Sequence, residues 1–332
     1  MKYPLLMILV LVSHSLIAQN FDYLPTANGE LIQHTNYSVS YMEQHEQPEW
    51  VAYYLSPDML KKVYDRKDSF KGDPLVSTGS ATYADYTSAS DFDAGHLLPC
   101  RQMQFDCNAM SETFYMSNMS PQRSDFNRNK WAYLEKLERN MAWRSQGIYV
   151  VTGPVLSSVS GSIGVDNQVS IPELYYKIFL KYDGENSKAI AFLLPNRKED
   201  VPFIDYVVSV DYVEALTGID FFPALEDSQE GQLEAFSDKS KWSFSNPSDK
   251  YGYTASVQNC TSGSTTIVSS TLTKININTA AKSTLETLPG IGPSKAQAII
   301  DMRPFQTIND ILNVSGIGQS SFNKVKTLIS VD

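Results

Sequence analysis

The run SDFDAGHLLPCRQMQFDCNAMSETFYMSNMSPQRSDFNRNKWAYLEKLERNMAWR places Asp93, His96, Asn118, Asn127, Glu135 and Arg139 within about fifty residues, a length that two strands and a helix can fold into one place. These residue types suit the attack of water on a phosphodiester. That reaction is slow because water is a weak nucleophile, the phosphoryl oxygens are already negative and the departing alkoxide is a poor leaving group. A catalyst must therefore supply a base, a cation and a proton donor.

His96 is the candidate base. Of the four histidines, His14 falls in an apolar N-terminal run, and His34 and His45 sit in a polar stretch without a matching constellation. A histidine taken alone is more often structural than catalytic, so the reading rests on its neighbours. The chain has three dispersed cysteines, no CxxC and no HExxH, which argues against zinc. Magnesium prefers oxygen ligands and keeps several waters, so the Asn127 amide can hold it, with Mn2+ as an alternative occupant. Asn127, Trp131, Glu135 and Arg139 recur at four-residue spacing along one side of a helical pattern. Each also has a plainer reading: Asn127 as a helix cap, Glu135 and Arg139 as a surface pair.

Several elements must position these groups. Apolar β-branched and aromatic runs, GIYVVTGPVL, ELYYKIFLKY and KAIAFLLPN, bounded by turn residues, predict buried strands. Spacing of Trp131, Leu134, Leu137 and Met141 predicts a helix over 130–143, and a second is predicted over 210–216 before Thr217-Gly218. The expected class is α+β. After Phe244 the chain turns Ser-, Thr-, Asn- and Gly-rich, the composition of a linker over 246–273. From 274 to 332 TLETLPGIGPSKAQAII is echoed by INDILNVSGIGQSSFNKV, 26 positions later, which predicts a duplicated helical unit.

The net charge is −10, which at long range repels phosphate. Residues 274–332 carry six basic against four acidic side chains, so the tail is +2 and the remainder −12. The N-terminal MKYPLLMILVLVSHSLIAQN, with Lys2 ahead of a short apolar run and Ala18 at a cleavable position, predicts a signal peptide over 1–18 and export to a periplasmic or extracellular location. After its removal no segment is apolar enough for stable membrane insertion. Cys100 and Cys107 lie close enough to bridge, leaving Cys260 unpaired; three reduced thiols are the alternative.

The blocks EWVAYYL, DYTSASDFDAGHLLP, TFYMSNMSPQ, FNRNKWAYLEKLER, YVVTGPVL and DYVEALTGIDFF, spanning 50–244, resemble the DNA/RNA non-specific endonucleases of the ββα-metal class. The resemblance implies a ββα-metal domain with a central antiparallel sheet over 19–245. It further implies that His96 activates water, Asn127 ligates magnesium, Glu135 orients metal-bound waters, Asn118 supports the site and Arg139 stabilises the pentavalent phosphate. Asp93 is expected to fix the turn and orient His96. The family motif reads Asp-Arg-Gly-His, and Ala94 here replaces the arginine, which implies either slower turnover or compensation by Arg101 or Arg123.

LPGIGPSKA and VSGIGQSSF each place Gly-x-Gly between helical patterns, where backbone amides at a helix start can hold phosphate without reading bases. With INTAAKSTLETLPGIG they resemble the tandem helix-hairpin-helix domain of competence-type DNA receptors, a small all-α unit, with Gly290, Gly292, Lys295, Gly316 and Gly318 as the expected contacts. The expected partners are DNA and RNA through the phosphate backbone, a homodimer being open. Ala94 motivates a rival reading, a DNA-binding or uptake protein with a decayed catalytic domain.

Overall fold

The computed structural model describes residues 23–245, 253–260, 274–285, 288, 291–318, 321–322, 325–326 and 328–331. The expected leader at 1–18 lies outside them. The chain divides into two compact units, 1–260 and 261–332. In the first, the strands begin with β1 (Glu30–Gln33), β2 (Ser38–Met42), β3 (Gln47–Leu55), β4 (Lys62–Tyr64), β5 (Phe92–His96), β6 (Met119–Arg123) and β7 (Ile148–Pro154). They continue with β8 (Val159–Ile163), β9 (Val169–Pro172), β10 (Leu174–Lys181), β11 (Lys188–Pro195), β12 (Val207–Val208) and β13 (Tyr253–Gln258). The helices are α1 (Tyr83–Thr87), α2 (Cys107–Glu112), α3 (Ser124–Phe126), α4 (Ala132–Arg144), α5 (Val210–Thr217) and α6 (Asp227–Glu234).

Seven strands form an antiparallel sheet in the order β1-β2-β3-β7-β10-β11-β12. The three apolar runs become its central strands because both faces of the sheet are covered. On β10, Tyr175 and Phe179 join one core with Trp131, Leu134, Leu137 and Met141, whereas Tyr176, Ile178 and Leu180 join another with Val210, Val213, Phe221 and Phe222. Strand periodicity thus sends alternate residues to opposite helical layers, which is why these strands read as continuous apolar runs. α4 starts two residues later than the predicted helix because a wide π turn over Asn127–Trp131 precedes it. α5 ends at Gly218, whose φ of 72° suits glycine.

Two expectations are corrected here. The first unit does not end at 245: β13 pairs parallel with β4, and Cys260 is disulfide-bonded to Cys107. Cys100 is the free thiol, and it is buried. The polar segment reads as linker because its partners are far away in sequence, and an edge strand held by a cross-link carries little apolar signal of its own.

The second unit is built from α7 (Lys282–Leu285) and α8 (Pro293–Asp301), with a 3-10 turn over Ile308–Asn313 and a two-residue parallel pairing of β14 (Ile275–Asn276) with β15 (Ile329–Ser330). Its core repeats the 26-residue period. Leu285, Leu288, Ile291, Ala296 and Ile299 are buried, and so are Ile311, Val314, Ile317, Phe322 and Val325 at the same offset. Neither half could bury these faces alone, so duplication supplies the core.

Candidate active site

β5 and β6, joined through α2, pair antiparallel from Phe92 with Arg123 through to His96 with Met119, and α3, the wide turn and α4 follow directly. A Cβ at Gly95 would lie 2.2 Å from the Gln122 side chain, which would have to move to admit it. Asn118, fully buried, accepts from the Leu98 amide at 2.9 Å and donates to the carbonyls of Leu98 and Thr113. It therefore locks the segment leaving His96 onto the start of β6. The Trp131 indole donates to the His96 carbonyl at 3.1 Å, tying helix to strand.

These ties place His96, Asn127, Asp93 and Glu135 on the wall of one cavity of about 640 Å³, together with Arg66, Arg101, Arg128, Phe70 and Tyr83. The His96 ring packs edge-on to Phe114 and near Phe70, and its Nε2 is buried without a hydrogen-bond partner. Burial, with the Arg66 charge as a lesser cause, lowers its pKa to about 3. At neutral pH the ring is therefore uncharged, and its Nε2 carries no partner within the protein.

Asn127 opens the π turn, an irregularity common at functional sites. Its amide nitrogen donates to Asp93 Oδ2 at 2.9 Å, so its oxygen is the end left for a ligand. Asp93 also accepts from Ser124 and, through both oxygens, from Arg128. Burial would raise the Asp93 pKa, but the bonds from Arg128, Asn127 and Ser124 outweigh it and hold the carboxyl below its usual range. The expectation that Asp93 orients His96 is thus corrected: its partners are Ser124, Asn127 and Arg128. Glu135 is half-buried, and burial pushes its pKa up to about 7 against the opposing charges of Lys177 and Arg139. With Asn127 it offers only oxygen donors, which fits a hard, hydrated divalent cation.

Arg139 does not line this cavity. It is 6% exposed and donates to Gln102 Oε1 and the Glu135 carbonyl. One turn beyond Glu135, it belongs to a buried polar network behind the wall. There Gln102 Nε2 and the Tyr53 hydroxyl both donate to Glu138 Oε1, and Lys177 Nζ meets Glu138 Oε2 at 2.9 Å. Of the two arginines expected to replace the missing motif cation, Arg101 reaches the wall, while Arg123 lines a separate hollow beside Asn196 and Arg197. Arg66 and Arg128 are the cations that sequence reasoning missed. Arg128 adjoins Asn127 and was within reach of a local reading; Arg66 lies thirty positions before His96 and left no local signal.

In the second unit, Gly290 lies outside the described residues. Gly292 caps α8 with ordinary backbone angles, Pro293 occupies the first turn, and among the described glycines of this unit only Gly316 needs glycine's freedom, at φ 83°. Gly318 follows it with open space where a Cβ would stand. Lys295 Nζ lies 3.4 Å from Ser321 Oγ, its counterpart position in the other half of the repeat. α8 therefore presents a helix start preceded by Gly292, as a phosphate-binding turn requires.

The family model for DNA/RNA non-specific endonucleases matches residues 19–228, and that for the helix-hairpin-helix motif matches residues 270–330. Nuclease C1 of Cunninghamella echinulata var. echinulata is 36% identical over 225 residues, 63% of this chain and 89% of that protein. Human mitochondrial endonuclease G is 32% identical over 206 residues, 58% of this chain and 69% of that protein. The mouse mitochondrial nuclease EXOG is 31% identical over 62% of this chain, which spans only 60% of that relative. A chain in a crystal structure of the EndoG/EndoGI complex superposes with a TM-score of 0.56 at 28% identity, covering 60% of this chain and 89% of that one.

Proposed function

The chain belongs to the DNA/RNA non-specific endonuclease family, and from that premise we propose that it is an exported, magnesium-dependent nuclease that hydrolyses both DNA and RNA. The observation that carries the reading is that His96, Asn127 and Glu135 line one cavity, with Asp93 holding the asparagine amide by its nitrogen. The Asn127 oxygen and the Glu135 carboxylate would hold a hydrated Mg2+, with Mn2+ accepted by the same donors. Such an ion neutralises charge on the leaving oxygen and brings a water that can protonate it.

The neutral His96 ring takes the proton of the attacking water. Arg66 and Arg128 stand on the same wall and hold the phosphate, in place of the guanidinium that Ala94 lacks. Arg139 works at one remove, holding Gln102 and the turn of α4 that carries Glu135. Asn118 is a positioning residue for the segment after His96. Low sequence preference follows from contact with phosphates, which carry no base information. The helix-hairpin-helix unit grips duplex by the start of α8, through Gly292, Gly316, Gly318 and Lys295. Export is supported by the Cys107–Cys260 disulfide, which suits an oxidising compartment. Among the described residues no helix is long and apolar enough to cross a membrane.

The test is incubation of the purified chain with plasmid and with total RNA, with and without chelator. Metal-dependent loss of both substrates is expected, and His96→Ala should abolish it with the fold intact; survival of both substrates at every magnesium concentration would end the reading. Ala94 favours one rival, a DNA-binding protein without turnover. It expects salt-sensitive duplex binding by 274–332 and no cleavage, so turnover by a 19–260 fragment excludes it.

A further inference from the structure

We propose that the carboxylates of Asp211, Glu214 and Glu234 form a structural site for a hard divalent cation of the calcium class, distinct from the cavity around His96. Asp211 and Glu214 stand three residues apart on α5, hence on one face, and Glu234 closes α6. One carboxylate oxygen from each lies within 4.8 Å of the others. Glu234 is only 5% exposed, yet its Oε1 has no hydrogen-bond partner. Buried polar atoms are normally satisfied, so an orphaned oxygen among carboxylates points to a missing positive ligand. Glu230, one turn earlier on α6, also buries an unpartnered Oε1. The Phe221 amide holds Glu214 Oε1 at 2.9 Å, so this carboxylate is already oriented.

Three carboxylates this close repel one another, and only protons or a cation can hold them together. Among the described residues no lysine, arginine or histidine is paired with Asp211, Glu214, Glu230 or Glu234. The donors are oxygen alone, which disfavours zinc and copper. Calcium takes several carboxylates in irregular geometry, and the exposed side at Asp211 leaves room for water. Magnesium gives up its waters reluctantly and fits such an all-protein set less well. A cation here would fasten α5 to α6 without touching substrate.

The experiment uses the full chain carrying Asn127→Ala, which removes one of the two proposed ligands of the catalytic ion, stripped with chelator and then titrated with CaCl2. Calorimetric unfolding is expected to shift upward by about 3 °C at ten times Kd, with Kd on the order of 10⁻⁴ M. Asp211→Asn with Glu214→Gln, both away from the buried core, should abolish the shift and the heat of calcium binding by isothermal titration. An absent shift in the Asn127→Ala chain, or an equal shift in the double variant, overturns the proposal. So does a Glu234→Gln chain that gains the same stability with and without calcium, because shared protons would then explain the cluster.

Discussion

Glu138→Gln is the substitution whose cost the structure sets most directly. The Lys177 and Glu138 side chains are both 0% exposed and meet at 2.9 Å. Glutamine keeps the shape and can still accept from Tyr53 and Gln102, as Glu138 Oε1 does. What it removes is the charge opposite Lys177, whose ammonium is left with the Leu97 carbonyl at 3.3 Å and the Tyr53 hydroxyl at 3.4 Å. Removing one partner of a buried pair strands the other charge in a low-dielectric interior, at a cost of about 3–5 kcal/mol. With a urea slope of about 3 kcal/mol/M for a unit of this size, the midpoint should fall by about 1–1.7 M. All four tryptophans, Trp50, Trp131, Trp143 and Trp242, lie in the first unit, so their fluorescence follows this transition alone. Adding Lys177→Met should recover most of the loss, because the double variant leaves no unpaired charge where this pair stood. A fall below about 0.3 M, or a double variant as unstable as the single one, would refute the reasoning.

Three further outcomes are expected. In chelated protein, burial holds His96 near 3 against its ordinary 6.5, so the unfolded chain binds a proton that the native ring refuses and stability drops as pH falls below 6.5. Glu135, raised to about 7 from 4.5, has the opposite sign, its contribution being full below 4.5 and lost as pH rises through 7. Between 4.5 and 6.5 the two slopes, each about 1.4 kcal/mol per pH unit, should largely cancel; His96→Gln should then become more stable on acidification, and a profile parallel to wild type would contradict this. Arg66→Ala should lower kcat/KM by about tenfold to a hundredfold without moving the unfolding midpoint, since the side chain is exposed on the cavity wall; unchanged kinetics would remove it from the phosphate-binding set. Thiol titration should find none reactive in the native chain, one on denaturation and three after reduction, and Cys260→Ser should open a 153-residue loop worth up to about 5 kcal/mol, read as a lower Tm. A Cys100–Cys107 peptide in a non-reducing digest would overturn the pairing.

Local chemistry made some of this chain readable from its letters. The central strands β7, β10 and β11 were legible because apolar β-branched runs between turn residues have few other uses. The 26-residue echo was legible because a repeated core needs repeated apolar positions, as Leu285 and Ile311 illustrate. The constellation from Asp93 to Glu135 was legible for a similar reason: its two strands and helix fall within one short stretch, with only α2 and tight turns between the strands, so residues near in sequence stay near in space. Arg139 stands behind the cavity wall because four-residue spacing only approximates a helical face, and the drift turns it toward Gln102.

What the tertiary structure alone decided are the contacts between residues far apart along the chain. Arg66 reaches the His96 cavity, Lys177 finds Glu138, Cys260 finds Cys107, and Asp211 meets Glu234 only after the sheet has brought their elements together. A single sequence holds no record of such pairings. Periodicity and propensity act over a few residues, whereas these contacts are selected by packing that exists only once the whole core has formed.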